Sequence, residues 1–243
     1  MTDFEPTPTS PAGAYHRGPS LIAVGAVFTA LFLASLAAPA LLAGGAHIPS
    51  PFGAEGLARA YFGEHPAVAG LAAFLQFGAA IPLAIYAATV TSRLRFLGSE
   101  VAGVSIALGG GLAASFFLAL SALFQWVLAQ PGVADSAGAV RVLHLLAFAA
   151  GGPGHVVPLG LLIAGVAVPA GLGRLLPRWM MTFGLVVAAI AELSSFSLLW
   201  PAAAFLLPIA RFPAFVWILI AGARLPQARA GAGAAVRKGG AAA

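Results

Sequence analysis

Residues 21–43 read LIAVGAVFTALFLASLAAPALLA, a stretch with no formal charge. A helix needs about 20 apolar residues to cross the hydrocarbon core of a bilayer, and this stretch supplies them. Its polar and apolar residues do not alternate, so it is not a strand of a membrane barrel. A signal peptide is also a poor fit, because its apolar core runs to only about 7–15 residues. The stretch moreover follows a polar leader rich in Pro and Thr. Residues 21–43 are therefore read as a first transmembrane helix.

Outward from this segment, the same reading gives spans at 67–90, 101–129, 142–170, 179–200 and 202–223. The chain has 243 residues, 60% of them hydrophobic and 8% charged, and a mean hydropathy of +0.98. Soluble domains carry roughly 25% charged residues, so this chain could not clothe a water-facing surface. The expected fold class is all-α: a polytopic bundle of six spans forming one transmembrane domain over 21–223. It is flanked by a disordered leader (1–20) and a basic, Ala/Gly-rich tail (224–243). The chain has no cysteine, which excludes disulfides, thiolate metal sites and iron–sulfur clusters.

Charge sets the expected orientation. With both termini inside, the inner segments hold Arg17, Arg93, Arg95, Arg174, Arg178, Arg224, Arg229, Arg237 and Lys238, and the outer loops only Arg59 and Arg141. This asymmetry predicts an N-in/C-in topology by the positive-inside rule. The pI of 10.8 then reflects topology and attraction to anionic lipid. The basic residues form no basic helix, so no nucleic-acid partner is expected. The bilayer is the expected partner, with a small-molecule or lipid ligand in addition. The Ala-rich, Arg-over-Lys composition points to a GC-rich bacterial source and thus to the inner membrane.

Two connectors have amphipathic spacing. In 51–64, Phe52, Leu57, Tyr61 and Phe62 recur beside Glu55, Arg59 and Glu64, which predicts a short interfacial helix on the outer face. On the inner face Leu172, Leu175, Leu176 and Trp179 are interleaved with Arg174 and Arg178. In the third span Gly103, Ala107, Gly111, Ser115 and Ala119 form an i, i+4 ridge of small residues, suited to close helix packing.

Only Glu192 and Arg211 put formal charge inside the spans. They lie nine residues before and ten after Pro201, so regular helices would place both ~14–15 Å below the outer surface. A charge at the bilayer centre costs at least about 2.5–3.5 kcal/mol, and pairing, or protonation of Glu192, would relieve it. Such a pair would either fix the register of the hairpin or serve a ligand. The fourth span is interrupted by Gly151, Gly152, Pro153, Gly154, His155 and Pro158, a run that should kink or unwind it near mid-membrane. Unwound backbone at that depth is tolerated where it is buried in protein or lines a cavity. Gln76, Ser115 and Ser195 fall at compatible depths. Glu192, Arg211, His155, Gln76, Ser115 and Ser195 are thus the candidate binding residues.

Known membrane chemistries are poorly served. The only lysine, Lys238, lies in the tail, so no retinal Schiff base is available. His144 and His155 share one span and cannot clamp a haem between facing helices. His47, His65 and His144, with Glu55 and Glu64, match no metal motif, so neither metal nor cofactor is expected. Three functional classes stay open: a binding site serving transport or sensing; an enzyme with Glu192 or His155 as acid–base and Arg211 as anion stabiliser; and a structural or partner-binding module.

Residues 171–180 (GLGRLLPRWM), 191–196 (AELSSF) and 207–226 (LPIARFPAFVWILIAGARLP) resemble the C-terminal half of bacterial six-span proteins of the domain of unknown function 4386 type. The likeness covers about the last third of the chain. It implies the six-span fold and no particular reaction.

Overall fold

The structure, a computed structural model, describes residues 15–54 and 56–228. Among them it is helical, with no strand and a single isolated bridge between Tyr15 and Ala228. The helices are α1 (Leu21–Leu42), α2 (Leu57–Glu64), α3 (Pro66–Phe96), α4 (Ala102–Leu128), α5 (Ala137–Ala149), α6 (His155–Leu172), α7 (Arg178–Leu193) and α8 (Leu206–Arg224). A π turn (Ala150–Gly154) joins α5 to α6, and 3-10 turns occupy Ser194–Leu198 and Pro201–Phe205. Six of the resulting rods are long and apolar enough to cross a membrane, as the sequence predicts. Most of the expected leader and tail lies outside the described residues.

Local chemistry sets the helix ends. The Ser20 hydroxyl accepts from the Ala23 N–H at the start of α1, and Ser136 does the same for Ala139 in α5. Pro66 opens α3, where its missing N–H costs nothing. Gly44 and Gly45 stop α1 with φ of +61° and +90°, a backbone region that disfavours side chains.

Each span packs on its neighbours in sequence, and α8 closes the circuit against α1. The fourth span is the central one: two-thirds of its most apolar stretch is buried, against 33–44% for the others. Small residues make that possible. A Cβ on Gly165 of α6 would fall 2.6 Å from the Gly103 carbonyl of α4, so the two backbones touch. The ridge of small residues read in the third span is part of this contact. Phe28, Phe32 and Phe215 pack edge to face between α1 and α8, while Phe74, Ile81, Phe116 and Trp126 face outward, as lipid contact requires.

The short helix expected within 51–64 forms as α2. Tyr61 and Phe62 are buried and pack with Ala69, Leu128 and Val140, so α2 folds back onto the end of the bundle. At the opposite end, the His16 N–H donates to the Gln227 carbonyl at 2.8 Å, clasping the segment before α1 to the segment after α8.

Candidate functional site

The break in the fourth span builds the site. Pro153 has no N–H to give the ladder, and Gly152 takes φ −84° and ψ −108°, outside the helical region. The His155 N–H, which a regular α-helix would direct to Gly151, goes instead to the Gly152 carbonyl. The Gly151 carbonyl accepts from Nη2 of Arg211, which reaches across from α8. The Arg211 guanidinium also lies 5.2 Å from the centre of the Phe32 ring. Its Nε is buried with no hydrogen-bond partner.

Beside this contact lies a cavity of about 210 Å³, between the ends of α1, α4, α5 and α8 and the segment that leads into α2. Ser121, Gln125, His144 and Arg211 form its polar wall; Leu36, Ile48, Phe62, Phe148 and Leu207 form its apolar wall. The polar wall is braced: the Ser121 hydroxyl donates to the Ala147 carbonyl at 2.8 Å, and the Gln125 amide donates to Gln76 Oε1 at 3.0 Å. Aromatic edges close the α2 side, Phe62 against His144 and Phe52 against Phe148. A larger groove of about 480 Å³ runs between α3 and α4 past Phe74, Phe77 and Trp126. No charged side chain among the described residues lines it, so it offers a ligand little beyond apolar contact.

The six residues predicted from sequence do not converge. Arg211 lines the cavity, and Gln76 stands one hydrogen bond behind it. Ser115 donates to the Ala80 carbonyl at 2.6 Å, joining α4 to α3. His155 is fully buried, with Nδ1 2.9 Å from the Ala114 carbonyl and its ring stacked near Phe32. Since a carbonyl only accepts, Nδ1 carries the proton, and Nε2 is left without a partner.

Glu192 and Ser195 are exposed on the flank of the bundle, and the Ser195 hydroxyl donates to Glu192's own carbonyl. No ion pair joins Glu192 to Arg211. The expected pairing is corrected here, and its cause is local. The two stretches of 3-10 helix between these residues turn 120° per residue instead of 100°. Matched depth therefore does not become a matched face.

Sequence reasoning missed Ser121, Gln125 and the placement of His144. The signal was present, since Ser121 and Gln125 lie four apart on α4 and so share a face. Among the described residues no three metal-ligating side chains converge; Glu55 lies outside them. Comparison of the chain with protein-family profiles, curated proteins and solved structures gives no match, so the functional reading rests on this geometry.

Proposed function

We propose that the chain is a multi-pass protein of the bacterial inner membrane, with both termini cytoplasmic, that binds a small solute in the cavity beside the broken fourth span, in transport or sensing. One observation carries the reading: the interior cation Arg211 lines a cavity next to unwound backbone. Irregular backbone and a charge at membrane depth are both costly, and both are typical of places where a membrane protein handles a polar solute. An acid–base site built on Glu192 gains no support, because that carboxyl stands on the flank while Arg211 and His155 both meet Phe32 inside.

Labelling tests the proposal. The chain lacks cysteine, so Gln125→Cys introduces one thiol into the cavity wall. A small, charged, membrane-impermeant thiol reagent should label it in intact cells, and Ala114→Cys, at a fully buried site, should stay unlabelled. If Gln125→Cys is as inert as Ala114→Cys, the cavity is closed to solutes and the protein is a structural module.

A further inference from the structure

The charge and shape of the cavity narrow what can occupy it, an inference that rests on the solute-binding reading above. Among the described residues Arg211 is the only formally charged one on its wall and no Asp or Glu lines it; Glu192 does not pair with the guanidinium. A guanidinium has five N–H donors. Here one nitrogen serves the Gly151 carbonyl, and Nε is buried without a partner. The Phe32 ring offsets part of the charge through its face but accepts no proper hydrogen bond. An interior cation that, among the described residues, meets a carbonyl and a ring but no carboxylate is short of a counter-ion, and uncompensated buried charge is costly.

We propose that the cavity takes a small amphipathic monoanion, in its simplest form a short-chain monocarboxylate. Its carboxylate lies against Arg211, and its hydrocarbon end lies against Leu36, Ile48, Phe62 and Phe148. The planar fork of a guanidinium matches a carboxylate edge. His144 lines the same wall and can offer a ring N–H to an oxyanion. The Ser121 O–H is given to the Ala147 carbonyl and the Gln125 amide to Gln76 and Ser121, so these two add polarity, and lone pairs for a bound water, without adding charge. A dianionic phosphate would leave a net negative charge among apolar walls, so one cation selects one negative charge. At about 210 Å³ the space falls below the roughly 300–1,000 Å³ of pockets for drug-sized ligands. It suits a few carbons rather than a long acyl chain.

The test uses the full chain in nanodiscs of zwitterionic lipid, with butyrate, butyramide and butylammonium as probes and thermal stabilisation against concentration as the readout. Butyrate should stabilise the protein, with an apparent affinity roughly tenfold or more above that of butyramide, the difference a charge-assisted hydrogen bond makes. Butylammonium should have no effect. In Arg211→Gln the preference for butyrate over butyramide should vanish. Should that variant fail to fold, Leu36→Phe serves instead: it narrows the apolar end and should weaken butyrate without touching the charge. Equal binding of butyrate and butyramide overturns the anion assignment and leaves the cavity as a site for neutral solutes. Affinity that keeps rising from butyrate to decanoate overturns the short-chain assignment and points to a lipid. If none of the three probes binds, the inference falls, and labelling at Gln125→Cys then decides whether the solute-binding reading falls with it.

Discussion

At residues 150–154 the fourth span loosens into a π turn inside the bundle, whereas at 194–198 the fifth tightens into a 3-10 turn at its flank. Both interruptions disturb the backbone ladder, and they are repaired by different means. At the flank the repair is local: the Ser194 and Ser195 hydroxyls fold back to the Ala191 and Glu192 carbonyls, each at 2.6 Å. In the interior it comes from sixty residues away, as Arg211 reaches the Gly151 carbonyl. A break that mends itself needs nothing from the rest of the bundle. One that borrows a cation from another helix ties two spans together and leaves a polar cavity beside the join.

The sharpest way to break this comparison is to remove the borrowed cation. Arg211→Ala should destabilise the detergent-solubilised protein by about 1.5–3 kcal/mol, the range for a hydrogen bond to a charged group, read from thermal denaturation. A loss within about 0.5 kcal/mol would make the interior join as dispensable as the flank. A smaller effect is expected of Gly151→Ala. The added methyl would press on Ser121 Oγ, and displacing it from the Ala147 carbonyl should cost about 1 kcal/mol.

At the flank, Glu192→Gln and Ser195→Ala should each stay within about 0.5 kcal/mol of the parent. The losses of Arg211→Gln and Glu192→Gln should then add within about 0.5 kcal/mol in the double variant. A larger coupling would mean that the two charges do meet, and the contrast between the breaks would collapse.

The smallest effect concerns the clasp at the far end. His16 sits 3.1 Å from Ser92 Oγ and edge-on to Phe96. Burial, and then the nearby Arg93 charge, hold its imidazole below the ordinary 6.5. The folded chain therefore takes up this proton less readily than the unfolded one. The stability His16 contributes is full above about pH 6.5 and is lost as pH falls through its folded value. The difference in melting temperature between the parent and His16→Gln should accordingly shrink from pH 8 to pH 5. A constant difference would show that His16 does not titrate against folding.

What could be read from sequence follows from what each feature depends on. Span existence depends on length and apolarity, so 21–43 was legible as α1 to within a residue. The break at 151–154 was legible because Gly and Pro act on their own backbone. Arg211 was legible as a costly interior charge, but its partner was not. Sequence gives depth along a helix well and rotation about its axis poorly, and ten residues of 3-10 geometry between Glu192 and Arg211 were enough to turn one away. The cavity wall was harder still. Ser121, Gln125 and His144 are brought together by the packing of α4 and α5 and by the return of α2, which no local pattern encodes.

The clasp between Tyr15 and Ala228 has a consequence for how this chain could be rewired. Residues 15 and 228 lie side by side, and α8 lies against α1, so the six rods form a circuit with a single nick. A short linker from Ala228 to Tyr15 would seal the nick, and new ends opened at the exposed Gly132 turn would interrupt no helix. Such a circular permutant should assemble the same cavity from a chain that begins with its fourth span. The order in which the spans are synthesised is then separable from the architecture they reach.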